Sequence, residues 1–339
     1  MPTNDNRRSS MHMTYTKMIS ATVGLLALGA AFGAAPASAA DLTTVRFVYD
    51  WASADFELIP TLVAQQKGFY EAEGIKVDVI FPPDSQTTAR LLAVGQAEIG
   101  FEATTDVVFG ASQGIPITSI GLYTKSNNWG LFGRPGEPLS LDNLKGKSIA
   151  IYTDSWTKAM MPFVLKAAKL TEDDVKLIIA QDSDTNLLLA GKIDIATNTE
   201  NYLVPQVQET LKKDPTSLIG AAAGAPDVPV WTYTASTAYL AEHGDVAKKW
   251  MRATIKATEW AADHPEEAAE MFTKAYPEGG SLAYNLSGWK LTAALMKGDT
   301  GYMMQEDKNW LPIAQALKDT DQIKEVLPAS KYYTNELLK

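Results

Sequence analysis

The residues that could do chemistry in this 339-residue chain gather just after segments that read as β-strands. Asp50-Trp51 and Asp55 follow the first such segment, Asp84 and Ser85 the second, and Thr104, Thr105 and Asp106 the third. Further along stand Thr153, Asp154, Ser155 and Trp156, then Asn198, Glu200 and Tyr202. Asn128, Trp129 and Trp231 lie in two stretches where turn formers sit beside aromatics. These side chains can hydrogen-bond a polar ligand through carboxylates, hydroxyls and amides, and offer flat apolar faces through their rings. The set includes six acids (Asp50, Asp55, Asp84, Asp106, Asp154 and Glu200) but no lysine or arginine. Unpaired carboxylates in a cleft of reduced dielectric repel a bound anion. A neutral or cationic small molecule carrying amino groups is therefore expected.

Other chemistries are harder to build. With no cysteine there is no thiolate zinc site, iron–sulfur cluster, disulfide or cysteine nucleophile. His243 and His264, both in the last third of the chain, have no partner at metal-ligand spacing, and no metal or cofactor is expected. No His-Glu-x-x-His, Gly-x-Ser-x-Gly, phosphate-loop or dinucleotide pattern occurs. A hydrolase built on two carboxylates stays open, because its acids can come from anywhere in the chain. The expectation is nonetheless a binding protein rather than an enzyme, with a secreted enzyme as the alternative. A formal net charge of −10 argues against a nucleic-acid partner, which needs a basic face.

The elements that must position these residues alternate. Strands are expected at Val45–Tyr49, Ile75–Phe81, Glu98–Phe101 and Ile117–Tyr123, with helices over Ile59–Gln66, over Thr87–Val94 and from Thr104. The pattern recurs as strands Lys147–Tyr152, Val175–Ile179 and Ile193–Thr197, with helices capped by Asp154-Ser155 and over Thr185–Ala190. Alternation with short links predicts an α/β protein with largely parallel sheets. Leu91–Ile99 and Leu187–Ile195 look alike, each a helix end, a glycine, an acid and a strand start. One copy in each of two lobes would explain the pair. From Asp245 onward helices dominate, with Trp250, Trp260, Trp289 and Trp310 among them. The expected architecture is two α/β lobes with a ligand cleft between them and the C-terminal helices packed on the first. The first lobe takes 40–128 and 232–339, the second 129–231, and the chain crosses near Ser126–Arg134 and Asp227–Thr234. A hinge is expected at the crossings.

The first 39 residues read as an address. Arg7, Arg8 and Lys17 precede an uncharged stretch from Met18 to Ala35, and Ala37-Ser38-Ala39 is a small-x-small cleavage pattern. A cleaved secretory signal and a periplasmic mature protein are expected; an uncleaved anchor is the alternative.

Five segments resemble the periplasmic substrate-binding proteins of ABC importers, in the branch for thiamine-pyrimidine precursors, nitrate, taurine and other sulfonates. They are Lys67–Val77, Leu92–Gly100, Gly114–Ile117, Leu141–Ala150 and Leu189–Asp194, and their order and spacing carry the resemblance. It implies a type II periplasmic-binding fold: a monomer that closes on one small molecule and delivers it to a membrane permease. Asp50-Trp51 matches an Asp-Trp that pyrimidine-precursor binders carry after the first strand, which implies that Trp51 stacks on a flat ligand. The polar continuation after that Trp is replaced here by Ala52-Ser53-Ala54-Asp55, so a sulfonate, taurine or nitrate receptor remains the alternative. Glu200 is expected to clamp from the opposite lobe by accepting from an amino group. Each reading has a plainer counterpart: Trp51 as core, Glu200 as a solvated loop acid, Thr104 and Thr105 as helix caps.

Overall fold

Strand-forming runs of Val, Ile and Phe build two five-stranded sheets in a computed structural model that describes residues 42–84, 86–180 and 183–339. The expected signal segment and Ser85 lie outside the described residues. The first sheet contains β1 (Thr43–Val48), β2 (Ile75–Ile80), β3 (Ile99–Ala103) and β4 (Ile117–Leu122). The second contains β5 (Trp129–Gly133), β6 (Ser148–Ile151), β7 (Lys176–Ile179), β8 (Ile195–Thr199) and β9 (Thr216–Ile219). A last strand, β10 (Trp231–Ser236), returns to the first sheet. The strand orders are β2-β1-β3-β10-β4 and β7-β6-β8-β5-β9, the same arrangement built twice.

The repeat noticed in the sequence falls on equivalent places. Helix α3 (Gln86–Ala93) leads through Gly95 into β3, and α6 (Asp184–Leu189) leads through Gly191 into β8. Both glycines take the left-handed conformation, with φ of 70° and 67°. Each of the two strands is the third of its sheet.

The sheets are mixed rather than largely parallel. β1 pairs in parallel with β2 and β3, and β6 with β7 and β8. β10 runs antiparallel to β3 and β4, and β5 antiparallel to β8 and β9. The reason is the path of the chain. It leaves the first sheet after β4, reaches the second through residues 123–128, and returns through 220–230. A strand entered from the end where its neighbours finish must run against them. Trp129 and Trp231, each the first residue of such a strand, are thereby set at the carboxyl ends of the other strands.

Helices cover the sheets: α1 (Ile59–Gln66), α2 (Phe69–Ala72), α4 (Thr104–Ser112), α5 (Ser155–Ala167) and α7 (Glu200–Leu211). The C-terminal helices are α8 (Thr237–Asp263), α9 (Pro265–Ala275), α10 (Leu282–Met296) and α11 (Asp307–Asp319). α8 packs on α1, α2 and β10, so the C-terminal region sits against the first sheet, while α10 also touches α7. Trp250 of α8 is the anchor: fully buried, with ring centroids of Phe47 at 5.6 Å and Tyr233 at 4.9 Å. Trp250→Ala is expected to destabilise the protein by about 3–5 kcal/mol, through lost burial and the cavity left behind. A urea titration of the variant against the parent would measure it; a loss below about 1 kcal/mol would mean that the aromatic cluster closes over the gap.

Candidate functional site

A cavity of 520 Å³ lies where the carboxyl ends of the two sheets face each other, the position at which open α/β sheets place ligands. Beyond β1 it is lined by Asp50, Trp51, Ala52, Ser53 and Asp55; beyond β2 by Pro83 and Asp84; and at the return crossing by Val230 and Trp231. From the second sheet come Trp129, then Tyr152, Thr153 and Asp154 beyond β6, with Trp156 and Thr157 in the first turn of α5. Ala180, then Thr197, Asn198 and Thr199 of β8, and Tyr202 of α7 complete the wall.

Eleven of the residues expected from sequence are thus brought together: Asp50, Trp51, Asp55, Asp84, Trp129, Thr153, Asp154, Trp156, Asn198, Tyr202 and Trp231. Five others are placed off the wall. The Thr104 hydroxyl donates to the Pro229 carbonyl (2.7 Å) and its N–H to that of Val230 (2.8 Å), tying the return crossing to α4. Neither Thr104 nor Thr105 caps α4, whose N-cap is Ala103 with no side-chain bond. The Thr105 hydroxyl instead meets that of Ser155 at 2.8 Å, joining the first turns of α4 and α5. Asn128 donates to Asn201 (2.8 Å), which in turn donates to Glu57 (2.8 Å). Glu200 opens α7 half-buried, its backbone N–H bound to the Asn128 carbonyl at 2.8 Å, and burial raises its carboxyl pKa.

Sequence reasoning passed over Tyr152, Ala180, Thr197 and Pro83 of the wall, and the buried acids Glu57, Glu102 and Asp184 behind or beside it. A glutamate inside the hydrophobic run Ile99-Gly100-Phe101-Glu102-Ala103 was the one available signal. Glu102 accepts from the Thr234 hydroxyl at 2.8 Å through one oxygen, and its other oxygen has no partner. Asp184 holds the site from behind, accepting from the Tyr152 hydroxyl at 2.9 Å and the Asn198 amide at 3.0 Å.

Electrostatically the site is one-sided. Asp50 is 2% exposed and its Oδ1 has no hydrogen-bond partner. Burial, followed by the charges of Asp106, Glu102, Asp154 and Glu57, pushes its carboxyl well above the usual range. Burial raises Asp106 to about 7. Glu102 rises to about 8 through burial and then the charge of Asp106. Asp55 rises to about 6 through burial, held back by the Tyr49 hydroxyl at 2.6 Å and the Glu57 N–H at 2.9 Å. Glu57 is driven up by burial and by Asp55. Asp154 is raised by burial, although it caps α5 by accepting from the Thr157 N–H at 2.7 Å. Among the described residues no lysine or arginine lines the cavity.

The rest of the wall is aromatic. Trp51 meets Trp231 edge-on, with centroids 5.4 Å apart and planes at 84°. Trp51 is partly exposed and lines the cavity while its other contacts pack on the hydrophobic core. The indole N–H groups of Trp51, Trp129, Trp156 and Trp231 all lack acceptors. Four buried indole donors and one buried carboxylate oxygen thus border one cavity without a partner among the described residues. His243 and His264 do not line the cavity, and among the described residues no group of His, Asp and Glu could hold a metal ion.

Two mixed sheets facing across an aromatic cleft constitute a periplasmic-binding-protein fold. The aliphatic-sulphonate-binding protein SsuA of Escherichia coli shares it, with a TM-score of 0.67 at 14% identity over 86% of this chain and 92% of that one. Residues 55–268 match the family described as NMT1/THI5 like, and the chain belongs to that family. Two of its relatives are named 4-amino-5-hydroxymethyl-2-methylpyrimidine phosphate synthase. The protein of Aspergillus parasiticus is 25% identical, with 70% of this chain and 72% of that one covered. The protein of Legionella pneumophila is 22% identical, with 82% and 87% covered. These names correct the expectation that the chain is not an enzyme: relatives that match most of its length carry an enzyme's name.

Proposed function

We propose that this protein is the solute-binding component of an ABC import system, and that its cleft takes a small, flat, amino-bearing molecule of the aminopyrimidine class. The observation that carries the reading is Asp50: a buried carboxyl beside the indole of Trp51, with one oxygen partnerless and no basic side chain in the cavity lining among the described residues. An exocyclic amino group would satisfy it, and ring nitrogens would accept from the indole N–H groups. In this reading residues 40–128 with 232–339 form one lobe and 129–231 the other. Closure runs about the two crossings, in a mature monomer exported to the periplasm that presents its closed form to a permease. The names of the relatives favour a second reading, synthesis of a pyrimidine phosphate, which keeps an aminopyrimidine in the cleft but adds a phosphate that the acidic lining disfavours.

Calorimetric titration with 4-amino-5-hydroxymethyl-2-methylpyrimidine, taurine and nitrate tests the proposal. The aminopyrimidine is expected to bind, and Trp51→Ala to weaken it by about 1–3 kcal/mol, the usual worth of a base stacked on an aromatic ring. The melting temperature of the unliganded variant should stay close to that of the parent, because Trp51 is partly exposed. Binding of taurine or nitrate instead would replace the aminopyrimidine with an anion. Appearance of a pyrimidine phosphate on incubation would select the second reading.

A further inference from the structure

We propose that the ligand bears a fixed positive charge on a flat nitrogen heterocycle, seated among the indoles of the cleft with Asp50 as its counter-ion. This rests on the reading of the cleft as the ligand site and narrows it from amino-bearing molecules in general to heterocycles whose ring nitrogen is N-alkylated and so carries its charge at every pH. The first observation is the carboxyl of Asp50, nearly all buried, bordering the cavity, with Oδ1 unmatched. The second is what surrounds it. The charges that act most strongly on Asp50 among the described residues are those of Asp106 on α4, Glu102 on β3, Asp154 ahead of α5 and Glu57 beside α1, all of them acids. A neutral aminopyrimidine could donate a hydrogen bond to Asp50 but would leave in place the repulsion that keeps these acids protonated in the empty cleft. A cation cancels it. The third is the wall: Trp51 and Trp231 meet at a right angle from the first sheet side, and Trp129 and Trp156 come from the other. Indole faces carry negative quadrupole density and hold cations best where water is excluded. Carboxylates and indoles thus select the same sign of charge.

Proton linkage follows. A cation entering the cleft favours the ionised form of Asp50 itself, whose carboxyl burial raises well above the usual range, and those of Asp106 and Glu102, which burial holds near about 7 and about 8. Binding must then release protons, and affinity must rise by up to about tenfold per pH unit for each proton released.

The test uses two probes of one shape, 4-amino-1-methylpyridinium and neutral 4-methylaniline, titrated calorimetrically into the full mature chain alongside 4-amino-5-hydroxymethyl-2-methylpyrimidine. Near pH 7.5 the cation is expected to bind at least about tenfold tighter than its neutral isostere, with proton release detected by comparing buffers of different ionisation enthalpy. Asp50→Asn should reduce that preference severalfold. Binding of the neutral pyrimidine with no preference for the pyridinium overturns the charge inference and leaves the proposed function standing. Binding of none of the three overturns both.

Discussion

Asp50→Asn is expected to lower affinity for an amino-bearing ligand by about 2–4 kcal/mol, roughly 30- to 700-fold, the cost of removing the charged partner of a buried donor. The same change should make the empty protein more stable. In the unliganded cleft Asp50 is buried among like charges and its carboxyl sits well above the usual range. The folded state therefore holds a proton there that the unfolded chain releases once pH passes about 4. Asparagine has nothing to release. Relative to the parent, the variant should melt at a similar temperature near pH 4 and at a higher one near pH 8, by a few degrees at about 2–4 °C per kcal/mol. Affinity and stability would then move in opposite directions at one residue, as expected when binding chemistry is built at the expense of the apo fold. Paired titrations and melts of parent and variant decide it. Loss of both affinity and stability would make Asp50 a structural residue; unchanged affinity would remove it from the site.

How far the sequence reached is best seen at the two antiparallel strands. The strands Trp129–Gly133 and Trp231–Ser236 lie in or run on from the stretches 126–134 and 227–234, which read as crossings because turn formers sit there beside aromatics. Both are fully buried strands. Gly130 is there because β9 comes so close: a Cβ at that position would lie 2.1 Å from the Leu218 carbonyl oxygen. Thr232 and Thr234 are satisfied sideways, by the Gly121 carbonyl at 3.0 Å and by Glu102 at 2.8 Å. Such partners lie some 110 to 130 residues away along the chain, so no local pattern could show them. The parallel strands, by contrast, were legible from alternation and from glycine-capped helices that repeat in each sheet.

The candidate site was legible for a topological reason. The carboxyl ends of parallel strands converge on one rim, so the residues just after Val48, Ile80 and Ile151 meet wherever the helices lie. What strand ends could not reveal is depth. Thr104 and Ser155 follow the same rule, but they, like Asn128 in the first crossing, turn into hydrogen bonds that join the crossings and the two sheets. Glu57, in the turn ahead of α1, and Glu102, inside β3, add to Asp106 and Asp154 the buried charge that shapes the field at Asp50.

That buried charge should govern the pH dependence of the whole molecule. Asp55, Asp106 and Glu102 titrate near about 6, 7 and 8 in the fold, against about 4 in an unfolded chain. With the folded values raised, the native state binds more protons than the unfolded state between about pH 4 and 8, and stability falls as pH rises through that window. Asp174, Glu73 and Glu266 have the opposite sign: their ion pairs lower their pKa values, so they favour the fold at higher pH and lose that contribution only toward about pH 4 and below. Exposed pairs of this kind are worth little, so the buried set should dominate. The unliganded protein is expected to melt on the order of 5 °C lower near pH 8 than near pH 5. A saturating cationic ligand should flatten the slope, because it favours the ionised acids that the empty cleft penalises. Differential scanning calorimetry at both pH values, with and without 4-amino-1-methylpyridinium, would measure it. A melting temperature that holds level or rises from pH 5 to 8 without ligand would show that these carboxyls ionise freely and that the cleft stores no such repulsion.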